Sequence, residues 1–483
     1  MKQYFFDVSG VLDYLRHGTR FTGIQRVVVT LADAACSKLG PDQAYISYLD
    51  HGRGRYVAVP YAALENGCMT DPESLRAVFG IRPPRPNQAD QDLDLRAKYK
   101  GRPLRAAFHA LRRRLYAALG REKYRQSASL LIKDTQVPPV RKISASEHIL
   151  FDMLAKPGDQ LVVMDAVWGM QDVVAIFTAS KNRGIVVHTM LHDLIPVVAP
   201  HFTNNDILRQ FEPWLRSSFE YTSSYLATSR STGRDLSGFL ARAEIPLPVR
   251  VTPLAQATLP RVQRTRAAVK DPTGSEGFDA RAVYDPGLAS ERVRAILTYP
   301  YVLCVGTLEI RKNIWRIAQV WQRLCHVEGI ALPKLVFAGQ PGWMIDDFEQ
   351  MMNATGNLSG WIAIINKASD AELETLYKHC QFTIMASYYE GWGLPIGESL
   401  AYGKTAVVSK TSSTSEVGGD LVEYCDPLSI DSIFQACRNL IEDPERRKAL
   451  EARILTTPLR VWDDAADDLL AAIDAHATES LHT

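Results

Sequence analysis

The chain has 483 residues, 46% hydrophobic and 23% charged, with a formal net charge of +1. These values suit a globular protein of roughly two to four domains and exclude a fibrous or disordered chain or one that binds polyanions over its whole surface. Seven cysteines without a close pair, only a short apolar stretch before Asp7 and no apolar run of about 18 or more lead us to expect a cytoplasmic protein without disulfide framework, secretion signal or membrane span.

In chain order, short apolar runs at 3–8, 44–49, 55–59, 160–164, 185–190, 226–228 and 249–251 predict strands, with helices between them that include 23–38 and 204–221. This alternation predicts a first Rossmann-like domain over 1–257. A basic insertion at 82–142, with sixteen Lys or Arg against five Asp or Glu, interrupts it. Within it Leu104, Phe108, Leu111, Leu115 and Leu119 follow helical spacing among Arg112, Arg113, Arg114 and Arg121. The resulting amphipathic helix, within 101–125, is suited either to an anionic membrane surface or to packing on the first domain. No nucleic-acid partner is expected, because aromatic residues are not interleaved with the charges. Asp90, Asp92 and Asp94 have D-x-D spacing but follow no strand, so we read no metal site there.

Residues 258–299, rich in Pro, Gly, Asp and Arg, predict a linker. A second Rossmann-like domain is expected over 300–455, with strands at 301–305, 335–338, 362–365, 382–386, 405–408 and 422–424. A terminal helical segment, 456–483, completes the chain. The stretch 343–483 holds ten basic and twenty-three acidic residues, so charge is strongly polarised along the sequence.

Glu390 and Glu398 are separated by seven residues, as are Glu65 with Glu73 and Glu212 with Glu220. Only the first pair has a usable setting. A buried strand precedes it, Gly391 and Gly393 permit a tight path, and Pro395 suits the start of a helix. Glu390 is then expected on the loop at a strand's carboxyl end and Glu398 in the first helical turn, where open α/β sheets bind ligands. Upstream, Gly306-Thr307-Leu308-Glu309-Ile310-Arg311-Lys312-Asn313 leaves another strand and opens a helix, a setting in which backbone amides and cations converge on a diphosphate. Gly23 precedes a long helix and permits close backbone approach to a ligand. His192 and Asp193 follow the strand 185–190, a place from which an imidazole can hydrogen-bond a sugar hydroxyl while the carboxylate fixes its ring.

Tyr389-Glu390-Gly391-Trp392-Gly393-Leu394-Pro395 with Glu398 resembles the signature of GT-B glycosyltransferases of retaining family four. The segment 306–313 resembles that family's phosphate motif, with Lys312 on its lysine and Thr307 where many members have arginine. The resemblance implies two Rossmann-like domains facing a cleft and a retaining hexosyl transfer that needs neither metal nor cofactor. It assigns Glu390 to the donor hexose, Glu398 to the ribose, and Lys312 with Arg311 to the leaving diphosphate. It also places Gly23, His192, Asp193, Gly306, Thr307, Gly391, Trp392, Gly393, Leu394, Pro395 and Glu416 around the donor. The implied partners are a nucleotide sugar, first a GDP sugar carrying mannose or a deoxyhexose such as rhamnose, and a glycan or glycolipid acceptor in surface-polysaccharide assembly. A peripheral position on the inner membrane face is consistent with such an acceptor. An epimerase of the same fold and a silent nucleotide-sugar-binding scaffold are the alternatives, the latter kept open by Thr307.

Overall fold

The computed structural model describes residues 2–52, 54–65, 67–82, 141–257 and 290–479. The helix and aspartates read in the basic insertion, and most of the linker, lie outside the described residues. Among the described residues no helix is long and apolar enough to cross a membrane.

Two sheets organise the chain. The first contains β1 (Tyr4–Asp7), β2 (Ala44–Asp50), β3 (Arg55–Pro60), β4 (Ile149–Leu150), β5 (Gln160–Val163), β6 (Val186–Leu191), β7 (Ser224–Ala227) and β8 (Val249–Val251), in the order β4-β3-β2-β1-β5-β6-β7-β8. Both faces of its centre are covered, which is why β1, β5 and β7 are buried along their whole lengths. The sheet departs from the expected all-parallel form at one edge, where β3 runs antiparallel to β2 and to β4. β3 begins too soon after the end of β2 for a crossover connection, so the chain reverses as a hairpin.

The second sheet contains β9 (Tyr301–Val305), β10 (Lys334–Ala338), β11 (Ile362–Ile365), β12 (Thr383–Met385), β13 (Ala406–Ser409) and β14 (Glu423–Cys425), all parallel in the order β11-β10-β9-β12-β13-β14. The order reverses between β9 and β12. At such a switch point the loops leaving the two strands diverge to opposite faces and open a crevice at their carboxyl ends. The molecule thus has the GT-B architecture, two doubly wound α/β domains facing each other.

Part of the segment read as linker is structured. Ser290 caps a short helix, α1 (Glu291–Ile296), whose Val293 and Ile296 are buried with Tyr301 and Leu303. One helical turn offers too few apolar positions for its period to register in the sequence.

The domains are joined twice. The chain crosses at 253–257 and returns before the terminal helix α2 (Trp462–Glu479), which lies on the first-domain helix Gly23–Lys38. Lys38 pairs with Asp467 at 2.8 Å, and the Tyr4 hydroxyl donates to Asp474 at 2.8 Å. The two crossings are tied to each other. The amides of Gln256 and Ala257 both donate to the Arg460 carbonyl at 2.9 and 3.1 Å, and the Arg460 amide donates to Gln256 Oε1 at 3.0 Å. One apolar cluster runs through this region, from Val28 and Leu31 of the first domain through Leu254 and Ala255 to Trp392, Leu400 and Leu469.

Two glycines allow backbones to meet there. A Cβ at Gly391 would overlap the His192 carbonyl oxygen, and one at Gly397 would overlap that of Gln256. A Cβ at Gly23, by contrast, meets nothing within 4 Å. Gly391→Ala and Gly397→Ala are therefore expected to lower stability in urea unfolding by about 1–3 kcal/mol each, whereas Gly23→Ala leaves it unchanged or higher. Equal effects at all three positions would contradict this packing.

Candidate active site

The crevice between β9 and β12 receives both motifs. From β9 the chain passes Gly306, at φ +133°, and Thr307, which is exposed, to a short 3-10 turn at Ile310–Lys312. Asn313 then takes a left-handed conformation, φ 59°, at the start of the helix Ile314–Leu324. Its Nδ2 donates to the carbonyls of Ala386 and Pro427 at 3.0 and 2.9 Å, pinning the turn to the end of β12. Arg311 adds a second tie: Nη1 donates to the Tyr389 carbonyl at 2.7 Å, and its own carbonyl accepts from the Tyr388 amide at 2.9 Å.

These ties place Glu390 between two cations. Lys312 Nζ lies 2.6 Å from Glu390 Oε1, and Arg311 Nη1 lies 2.8 Å from Oε2. Arg311 also meets Glu309 Oε1 at 2.5 Å. Glu390 is 6% exposed. Burial alone would push its pKa up, but Arg311 and Lys312 outweigh burial and hold it at about 2. Glu309 lacks that double partnership and is shifted upward by burial. The Glu390 amide donates to Ser412 Oγ at 2.9 Å, and Ser413 Oγ donates to the Glu390 carbonyl at 2.8 Å.

The first domain brings His192 and Asp193 to this cluster, the Gly391 backbone lying directly against the His192 carbonyl. His192 Nε2 donates to the Met164 carbonyl at 2.8 Å, leaving Nδ1 as the ring's acceptor. Burial lowers its pKa to about 4, so the ring is uncharged at neutral pH. Asp193 accepts from the Ile195 amide at 3.0 Å; burial raises its pKa, opposed by Arg311 and Lys312.

Other expected donor residues have different surroundings. Trp392 is buried in the apolar cluster between the domains, with Nε1 donating to the Ala255 carbonyl at 2.9 Å. Its ring and indole nitrogen thus contribute to the interdomain joint. Glu416 is committed to the first domain, where its carboxylate accepts from the amides of Arg230 and Ser231 at 2.8 and 2.9 Å. It thereby caps the positive end of the helix Arg230–Arg242. Gly393, at φ +102°, turns the chain into the helix Leu394–Ala401, with Pro395 in its first turn. That helix presents Glu398, which is 5% exposed. Glu398 Oε1 accepts from Arg26 Nη1 at 2.8 Å and Oε2 from the Tyr377 hydroxyl at 2.7 Å. Gly23 stands at the start of the helix that carries Arg26, exposed to solvent.

Sequence reading gave no role to Arg26, Glu309, Asn313, Tyr377 or Ser412. Glu309 and Asn313 lie inside the phosphate motif, but Arg26 and Tyr377 meet Glu398 only through the tertiary fold. Among the described residues no group of three or more His, Cys, Asp or Glu is placed to hold a metal. What the crevice offers is two adjacent cations, with carboxylates on either side.

The low pKa of Glu390 has a defined thermal signature. A carboxylate depressed from 4.5 to about 2 adds stability that is complete above pH 4.5 and is lost as pH falls towards 2. Glu390→Gln should destabilise the protein at pH 7 and flatten its acid limb in that window. Asp7 and Asp165, buried at the ends of β1 and β5 and raised to about 6 and about 7, act oppositely and at higher pH. Parallel pH profiles for wild type and variant below pH 4.5 in calorimetry would refute the assignment.

Comparison with known proteins places residues 289–454 in a match to the family model Glycosyl transferases group 1. The chain is 32% identical over 173 residues to the O-antigen chain mannosyltransferase B of Escherichia coli, covering 36% of this chain and 45% of that protein. It is 24% identical over 259 residues to the serotype-specific mannosyltransferase WbdA of Escherichia coli, covering 53% of this chain and 30% of that protein. The chain therefore spans less than half the length of these curated relatives. Solved structures similar to it include the UDP complex of Anabaena HepE, at 13% identity, full coverage of both chains and TM-score 0.48. A UDP-forming trehalose-phosphate synthase from Burkholderia xenovorans is 14% identical, with TM-score 0.49 and coverage of 68% and 76% of the two chains. The matched third of the chain carries the Arg311–Glu390–Lys312 cluster, and it is this part that is similar to group 1 glycosyl transferases.

Proposed function

We propose that this protein is a retaining hexosyltransferase, moving mannose or a deoxyhexose such as rhamnose from a GDP sugar to a glycan or lipid-linked glycan during surface-polysaccharide assembly. The observation that carries the reading is the buried Arg311–Glu390–Lys312 cluster at the switch point of the second sheet. Breaking the sugar–phosphate bond leaves a nucleoside diphosphate. Arg311 and Lys312 meet that charge, so the transfer needs no metal ion.

Both cations are engaged by Glu390 in the structure. A diphosphate drawing on Lys312 and Arg311 loosens their hold on Glu390, whose oxygens then accept from hydroxyls of the donor hexose. Engaged by those hydroxyls, Glu390 orients the hexose and does not attack its anomeric carbon. Front-face attack, with a leaving phosphate oxygen taking the acceptor's proton, is thus favoured over a covalent intermediate and gives retention. His192, uncharged at neutral pH, offers Nδ1 to a sugar hydroxyl. The names of the curated relatives support mannose as the transferred hexose.

A thermal-shift panel of GDP, UDP, dTDP and ADP should show stabilisation by GDP. Lys312→Ala should abolish that shift and lower transfer from GDP-mannose about 10²- to 10³-fold. Glu390→Ala should remove transfer from a folded protein. Stabilisation by another nucleotide would replace the GDP assignment, and failure to bind any nucleotide would overturn the function.

A further inference from the structure

We propose that Arg26 is a cross-domain latch on Glu398 that the ribose of the donor displaces, so that donor binding releases an ion pair holding the two domains together. This rests on the nucleotide-sugar reading above. Glu398 would take the ribose, yet both of its oxygens are engaged in the structure, by Arg26 at 2.8 Å and by Tyr377 at 2.7 Å. The two partners are not equivalent. Tyr377 is buried, belongs to the same domain and stacks on Tyr402 with ring centroids 5.2 Å apart. Arg26 comes from the opposite domain, and its side chain keeps 26% exposure. A hydroxyl entering from the cleft exchanges most readily with the partner that solvent and the second domain can accommodate.

A neighbouring contact points the same way. Arg20, six positions earlier, reaches across to donate to the Ala368 carbonyl at 2.5 Å. The segment from Arg20 to Arg26 is therefore fastened to the second domain near both of its ends. Between them Gly23 has open space where a side chain would be, while Phe21 and Ile24 pack against the core, so displacement of Arg26 changes the guanidinium contact and not the path of the chain. The ribose hydroxyl replaces a charge-assisted hydrogen bond to Glu398 Oε1, and the freed guanidinium returns to solvent. Glu398 is 5% exposed, so the exchange swaps one partner of a buried carboxylate for another and leaves neither oxygen unpaired. Its consequence is that ribose binding and the Arg26 ion pair between the domains exclude each other.

Titration calorimetry compares wild type with Arg26→Gln, using GDP, or whichever nucleoside diphosphate the wild type binds, and its 2′,3′-dideoxy analogue. The variant should bind the ribonucleotide about three- to tenfold more tightly. It should bind the dideoxy form no more tightly than wild type does, because without hydroxyls there is nothing to compete with Arg26. Arg26→Lys, which keeps the charge on a shorter reach, should fall between, and thermal unfolding of both variants checks that they fold. Unchanged or weaker ribonucleotide binding by Arg26→Gln overturns the latch, as does an equal gain with the dideoxy form. A wild type that binds no nucleotide overturns the functional reading itself.

Discussion

The second domain is organised around a charge balance that closes without any ligand. Arg311 and Lys312 lie in a crevice where neither could be left unpaired cheaply, and Glu390 with Glu309 neutralises them. The arrangement demands that two separate loops arrive in register. That requirement accounts for the left-handed Asn313, the carbonyl contacts of Arg311, and the serines that fix the Glu390 backbone. Any dianion reaching these cations would have to compete with Glu390 for them.

Sheet topology decides which loops can compete. β9 and β12 are far apart in sequence but adjacent in the sheet, on either side of the point where strand order reverses. Residues 306–313 and 389–398 emerge from their carboxyl ends into one crevice. The first domain closes on this from the opposite side through the backbone of His192, admitted by a residue without a side chain at 391. Interdomain contact and the Arg311–Glu390–Lys312 cluster are consequently neighbours along the same loop.

Much of this was legible in the sequence, and the division follows range. The strands of both sheets except the two-residue β4, the glycine turns and the helix starting near Pro395 are encoded by short periodic patterns, so they could be read locally. Glu390 and Lys312 were legible because each stands in a loop whose neighbours constrain it. Trp392 and Glu416 sit in equally recognisable positions, yet their partners are the Ala255 carbonyl and the amides of Arg230 and Ser231. Those contacts depend on how two domains meet, which no spacing within one segment records. Arg26 was passed over for the same reason. The antiparallel β3 escaped because an apolar run carries no mark of strand direction.

The tie between the two crossings has a mechanical meaning. A single flexible connection lets two bodies bend, twist and slide in any direction. Here the peptides around Gln256 and Arg460 are hydrogen-bonded to each other, and Arg460 Nε also holds the Pro253 carbonyl at 3.1 Å. Two strands fastened side by side resist torsion at the joint better than one would. Trp392 and Gly397 pack directly against the first of them, at the Ala255 carbonyl and the Gln256 backbone. The helix bearing Glu398 is therefore held against the joint itself.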